Sequence, residues 1–376
     1  MDAEPTLNMT ALSDGVAAAV AGDVRELVGP ARTVDTALID AATRGWSANT
    51  QRAFRSDLAL WADWCRRQGI GAAAAGPSDV TRWLRQLGGT EPSQERPRAM
   101  ATIERYLVHI GWAYRIAGLA DPTSAPLVKL EKKALRKALG VRQRQARAIR
   151  FKGDISDLDS PASGVCLAHL IKACRRDLLG LRDEALLRVA YDSAARRSEL
   201  VAILIEHIDG PDETGAGTLF VPRSKTDQAG EGAYAYLSPA TMRAITRWRT
   251  AARIERGPLL RRVEVHFDGS VAAVGSDALH PGSISLIYRR LIRAAHAKKF
   301  LGAMGETELE RWVKAVSSHS IRVGVAQDNF AADESLPAIM QAYRWRDPKT
   351  VLRYGARLAA KSGASARMAA RLAGEI

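Results

Sequence analysis

Cysteine is scarce in this chain: only Cys65, Cys166 and Cys174 occur, with no CxxC spacing. That supports neither a disulfide framework nor a zinc site and fits a reducing compartment. Long apolar runs are missing as well. No stretch approaches the roughly 20 residues of a membrane span, and the first residues have neither the basic start nor the apolar core of a signal peptide. These absences argue against a membrane or secreted protein and point to the cytoplasm. No Gly-Lys dipeptide occurs, so there is no P-loop and ATP use is not indicated. Acidic residues are in short supply, 41 against 55 Lys and Arg, which leaves a net charge of +14. Such an excess of positive charge favours a polyanionic partner.

The chain has 376 residues, 47% of them hydrophobic, enough for two domains with substantial cores. Its charge is uneven. Residues 1–45 hold three Arg against seven Asp and Glu, a net of −4, so the remainder carries +18. This leader is expected to be a separate, weakly ordered acidic arm. Arginine outnumbers lysine 43 to 12, as suits bidentate phosphate contacts, but the many alanines suggest a GC-rich genome that would favour both.

Helical periodicity starts at Ser47, a candidate cap, with Phe54, Leu58, Trp61, Ala62 and Cys65 on one face before Gly69. A second helix follows Pro77-Ser78 with Val80, Trp83, Leu84 and Leu87. A third carries Met100, Ile103, Tyr106, Leu107, Ile110 and Tyr114, and a fourth runs from about 124 to 139. Residues 46–140 are thus predicted to form a helical domain. Residues 129–152 then hold ten Lys or Arg against Glu131 alone. The run is either a solvated helix face leading into a linker at 141–155 or a phosphate-tracking segment, in which Lys129, Lys132, Lys133, Arg136, Lys137, Arg142 and Arg144 would touch DNA.

The second domain, 156–376, reads as helical over 166–179 and 181–191, with a β-like run at 200–208. Residues 218–222 and 233–237 flank a polar turn, Arg223-Ser224-Lys225-Thr226-Asp227, as a hairpin would. Helical patterns resume at 238–256, 283–298, 320–331, 336–343 and 348–358. The predicted class is mainly α with a small antiparallel sheet.

Four segments in this domain combine unusual residue types: Ala194-Ala195-Arg196-Arg197-Ser198-Glu199-Leu200, the Lys225 turn, His319-Ser320-Ile321-Arg322, and Trp345 followed nine residues later by Tyr354. Singly each has an ordinary explanation, such as a helix-surface ion pair for Arg196 and Glu199, or a core role for Trp345. Together they are specific. His, Arg, Trp and Tyr at these spacings arise by chance only about 3 × 10⁻⁴ times at this composition. On these residues, and on Ala190-Tyr191-Asp192-Ser193 and Ile339-Met340-Gln341-Ala342 beside them, residues 45–376 resemble the tyrosine recombinase, or phage integrase, family.

The resemblance implies a helical core-binding domain and a catalytic domain clamping duplex DNA, and it implies roles for the site. Arg196 and Arg322 would bind the non-bridging oxygens of a phosphodiester, where the pentacoordinate transition state gathers charge. His319 and the Trp345 indole would add donors, and Glu199 would orient a neighbouring His or Arg. Tyr354 would attack phosphorus to give a 3′-phosphotyrosine, conserving the bond for religation without metal or ATP. Lys225 would protonate the leaving 5′-oxygen. His319 is a candidate for taking the Tyr354 proton.

Three positions depart from the family pattern. Ala194 and Arg344 stand where glycine is common, and Val323 where histidine is frequent; Arg344 is a candidate phosphate contact. The implied partner is a double-stranded site with inverted repeats, bound by a chain that is monomeric in solution and tetrameric on DNA. Strands would exchange through a Holliday junction, in the service of a mobile element. A type IB topoisomerase and a non-enzymatic DNA-binding protein are the rival readings. Beyond Gly363, Met368, Leu372 and Ile376 recur at helical spacing, so this tail is expected to dock on its own domain or, by the resemblance, on a neighbouring protomer.

Overall fold

The computed structural model describes residues 9–29, 34–92, 96–140, 145–153, 160–222 and 231–374. Two units divide the chain, Met1–Arg144 and Gln145–Ile376.

Among its described residues the first unit has only helices: α1 (Met9–Val28), α2 (Thr36–Thr43), α3 (Ala48–Arg67), α4 (Pro77–Gly88), α5 (Met100–Ile116) and α6 (Pro126–Leu139), with short 3₁₀ turns between them. Local chemistry sets the ends. Ser47 caps α3 by accepting from the Thr50 amide, and Pro77 and Pro126 occupy first helical positions, where a missing N–H costs nothing. The core is aromatic: Trp61 stacks on Trp64 at 5.2 Å and meets Trp83 at 5.0 Å, and Trp83 stacks on Tyr106 at 5.7 Å. Within it Asp57, 1% exposed, accepts two 2.8 Å bonds from Arg105 and one of 2.6 Å from His109 Nδ1. Helix α6 buries only Val128 and Leu135, which leaves its basic residues on the outer side.

The acidic leader is not a weakly ordered arm in its described part. Val20, Ala21, Val24 and Leu27 of α1 and Ile39 of α2 are buried in the same core as α3 to α5. An average of charge over 45 residues hid this, because the apolar stripe and the acidic face share one helix. Asp23 on that face pairs with Arg55 of α3 at 2.7 Å.

The second unit is mainly α, with α7 (Leu167–Ala173), α8 (Leu178–Ser193), α9 (Arg197–Val201), α10 (Pro239–Ala252), α11 (Ser283–Ala297), α12 (Glu306–Ala315), α13 (Ser320–Ala331), α14 (Leu336–Ala342), α15 (Pro348–Ser362) and α16 (Ala364–Ala373). Strands β1 (Ile208–Asp209), β2 (Gly217–Val221) and β3 (Ala233–Leu237) form an antiparallel sheet in that order. In its register Leu219 faces Ala235 on the buried side and Phe220 faces Tyr234 on the other. A second antiparallel pair, β4 (Arg261–Val265) and β5 (Val271–Ala278), has no counterpart in the sequence pattern.

Most of the apolar run at 200–208 is not a strand. It holds the end of α9 and a 3₁₀ turn at Ile205–His207, and only Ile208 enters the sheet. A short continuous apolar run does not distinguish a buried strand from buried helical turns.

Helix α13 runs through the middle of this unit, with Ser320 through Ala326 and Asp328 buried. The chain enters across it. A Cβ on Gly324 would sit 1.9 Å from the Ile149 carbonyl oxygen, so only glycine allows this crossing. Beside it the buried Arg150 donates to Asp328 at 2.6 Å, and Asp328 also accepts from the Phe151 amide at 2.8 Å and the Tyr191 hydroxyl at 2.7 Å. The basic run expected to be linker through residue 155 is therefore, from Ile149 to Phe151, part of the second unit, and Arg150 serves an internal ion pair.

Candidate active site

All described members of the predicted constellation lie in the second unit. Helix α8 ends where Ala194 adopts a left-handed φ of 44°, the conformation that makes glycine common there, and the chain turns out of the helix. Arg196 follows as the N-cap of α9. Glu199 reaches back to it twice: one carboxylate oxygen accepts from the Arg196 amide at 2.9 Å, the other from its Nη1 at 2.8 Å. The carboxylate, 7% exposed, thus fixes both backbone and guanidinium of the first arginine.

Arg322 approaches from α13 and is 4% exposed. Its Nη1 donates to the Ala194 carbonyl, and its guanidinium carbon lies 4.7 Å from the Trp345 ring centroid, a cation–π contact. Burial, and then the charge of Arg196, push its pKa down to about 10, against the opposing pull of Glu199 and Tyr354. It stays protonated at neutral pH. His319 is the N-cap of the same helix, one turn before Arg322, and is exposed; its backbone N–H donates to the Ser317 hydroxyl at 3.2 Å.

Trp345 follows α14, where its amide donates to the Met340 carbonyl at 3.0 Å. The ring is 5% exposed, and its buried Nε1 has no acceptor among the described residues. Asp347 caps α15, accepting from the Lys349 and Thr350 amides at 3.1 Å each. The Thr350 hydroxyl bond is the leading cause that holds this carboxyl below the usual range. Two turns on, half-buried Tyr354 places its ring 6.2 Å from that of Trp345 at 62°. Gln327 of α13 donates to the Tyr354 carbonyl at 3.1 Å. The next residue must be small, because a Cβ on Gly355 would lie 2.4 Å from the Phe330 ring. Neither Gln327 nor Phe330 stood out in the sequence, where both look like ordinary helix residues.

Arg344 is not on the surface. It is turned into the site, donates to the Ser193 carbonyl at 3.1 Å and lies 3.8 Å from Glu199. Arg196, Arg322, Trp345 and Tyr354 are thus brought together with Glu199, whose carboxylate is shared by the guanidiniums of Arg196 and Arg344. Lys225 lies outside the described residues, as do Arg142 and Arg144. Lys129, Lys132, Lys133, Arg136 and Lys137 belong to the other unit, on α6, all exposed except half-buried Lys132. Arg136 there pairs with Glu104 of α5. Chemically, the site is a cationic pocket with a phenol at its edge, suited to a nucleophile and an anion.

Comparison with known proteins bears on the family and the fold. Residues 166–361, just over half of the chain, match the phage integrase family. The integrase/recombinase xerD homolog of Selenomonas ruminantium is 27% identical over 312 residues, 81% of each chain. Recombinase cre of Escherichia phage P1 is 27% identical over 329 residues, 86% of this chain and 89% of that one. Among solved structures, a XerH site-specific recombinase bound to a palindromic difH substrate shares the fold with a TM-score of 0.54 at 11% identity, covering 94% of this chain and 96% of that one. The Tn1549 transposon integrase in complex with transposon right-end DNA does so at 0.51 and 12%, covering 90% and 98%.

Proposed function

The chain belongs to the phage integrase family, and from that membership we propose that it is a site-specific tyrosine recombinase, cleaving and rejoining duplex DNA through a 3′-phosphotyrosyl intermediate. The observation that carries the reading is the convergence of Arg196, Arg322, Trp345 and Tyr354 in one unit, with Glu199 bonded to the first arginine.

In this reading the Tyr354 oxygen attacks the scissile phosphorus, a P–O bond to tyrosine forms, and the bond to the 5′-oxygen breaks. Arg196 and Arg322 hold the non-bridging oxygens as the second negative charge develops, which favours the transition state over the ground state. Trp345 adds its indole N–H. The leaving 5′-oxygen takes a proton from Lys225, and His319 is the candidate acceptor for the tyrosine proton. Attack by a 5′-hydroxyl of another strand reverses the chemistry, so the phosphotyrosine conserves the bond without ATP.

The first unit, with α1 and α2 in its core, acts as the core-binding domain, and the second, which takes in Ile149 to Phe151, as the catalytic domain. Lys129, Lys132, Lys133, Arg136, Lys137, Arg142 and Arg144 contact the DNA backbone, and four protomers exchange strands on a site with inverted repeats. Helix α16, which leaves Met368 and Leu372 each 55% exposed, supports assembly rather than a monomeric topoisomerase. Incubation with supercoiled plasmid carrying two copies of the bound sequence is the test. Recombinant circles are expected; relaxation without recombinants favours the topoisomerase, and binding without nicking favours a non-enzymatic protein.

A further inference from the structure

Position 344 is built against the local rule. Its φ of +58° lies in the left-handed region that side chains seldom occupy, yet it carries arginine rather than glycine. An outlier of this kind persists where the side chain is held by its surroundings. Here the guanidinium is 10% exposed, Nη2 donates to the Ser193 carbonyl at 3.1 Å, and the same nitrogen stands 3.8 Å from Glu199. Its Nη1 is buried and has no partner among the described residues.

The next carbonyl, that of Ala194, accepts from Arg322. Two consecutive carbonyls at the C-terminal end of α8, where the helix dipole favours cations, are therefore each held by an arginine from the far side of the site. Those carbonyls stand three and two residues before Arg196. A shift of this turn would move Arg196 and Glu199 together.

Charge gives the second argument. Among the described side chains Arg344 adds a third guanidinium beside Glu199. A phosphodiester brings one negative charge and the pentacoordinate transition state about two. The attraction of this cation therefore grows as the second charge develops, which favours the transition state over the ground state. Burial and the nearness of Arg196 lower its pKa while Glu199 opposes them, as befits a cation sharing this pocket.

We infer that Arg344 is a positioning residue for strand cleavage: it fastens the Arg196–Glu199 turn to the Trp345 turn and supplies the charge that fits the pocket to the transition state. It acts through Glu199 and the Ser193 carbonyl, not by a direct phosphate contact. This rests on the recombinase reading above.

The test uses the full chain and a nicked duplex carrying the sequence that the protein selects from a randomised pool. Its scissile linkage is made either as the phosphodiester or as an uncharged methylphosphonate. Arg344→Gly suits the backbone at this position, and Arg344→Lys keeps the charge. With Arg344→Gly, duplex affinity should stay within about 3-fold while covalent trapping at saturation slows about 10- to 100-fold, the range of a charge-assisted hydrogen bond. Arg344→Lys should recover part of that rate. The defect should shrink on the methylphosphonate, which has no developing dianion to match.

Equal losses on both linkages, a drop in affinity as large as the drop in rate, or unchanged trapping by Arg344→Gly would each overturn the inference. Wild-type protein that traps no duplex counts against the recombinase reading and this one together. Wild-type trapping matched by Arg344→Gly counts against this one alone.

Discussion

The Arg322→Met substitution removes a cation that the fold buries at a cost. Burial lowers its pKa from the ordinary guanidinium value to about 10. At 1.36 kcal/mol per unit, the charged form is destabilised on folding by about 3 kcal/mol at neutral pH. Against that stand the hydrogen bond to the Ala194 carbonyl, whose removal leaves a buried acceptor unpaired at about 1–3 kcal/mol, and the packing over Trp345, about 1–2 kcal/mol when desolvated. The two sides nearly cancel. Melting at pH 7 should therefore show a stability within about 2 kcal/mol of wild type, whereas truncating an ordinary buried side chain costs about 2–5 kcal/mol. Cleavage should fall by at least about 10²-fold, as removal of one oxyanion donor does.

The sign of the pH dependence is also set. Because the folded pKa lies below the unfolded one, the native state releases this proton first as pH rises past about 10. Between about 10 and the ordinary guanidinium value the unfolded state binds more protons, so wild-type stability gains a contribution there that Arg322→Met lacks. A destabilisation well above about 3 kcal/mol would make Arg322 a structural cation, since it exceeds what the Ala194 hydrogen bond supplies. Unimpaired cleavage would refute its place in the anion pocket.

Other predictions concern residues farther from the pocket's centre. Lys225→Ala should cleave ordinary DNA poorly but recover on a 5′-bridging phosphorothiolate, whose sulfur leaves without a proton, while Arg196→Ala should not recover; equal rescue of both contradicts the general-acid role. Replacing Lys132, Lys133, Arg136 and Lys137 by alanine should weaken binding to all sequences alike and flatten the dependence of log K on log salt by about 0.9 for each phosphate no longer neutralised. Arg136 should contribute least, since Glu104 already pairs with it. Removing residues 364–376 should leave single-protomer binding intact and abolish cooperative binding and strand exchange; failure of the monomer to fold would instead place α16 on its own unit.

Helices α3 to α6 were legible because each buries one stripe and ends at a glycine or begins at a cap or proline, all visible at the level of spacing. The constellation was legible for another reason: chemistry calls for these residue types, and their order along the chain carries the resemblance to a known family. What escaped was decided by tertiary contacts. Ile149 and Arg150 sit in a run of positive charge, yet Asp328, 178 residues from Arg150, makes that arginine internal. The apolar residues from Leu200 to Ile208 fit a strand or helical turns, and Glu199 capping Arg196 settled it for α9. The β4–β5 pair has few buried residues and no clear alternation, so its pattern carried little signal. Arg344 beside Trp345 reads as a surface cation, and only the φ of 58° and the reach to Ser193 reveal otherwise.

The most direct test of the account is to trap the protein on a nicked duplex of its selected sequence, digest the adduct and identify the peptide joined to DNA. The account predicts a 3′-phosphotyrosyl bond at Tyr354, and its complete absence in Tyr354→Phe with duplex affinity preserved within a few fold. An adduct at another residue, or one that persists in Tyr354→Phe, would contradict it.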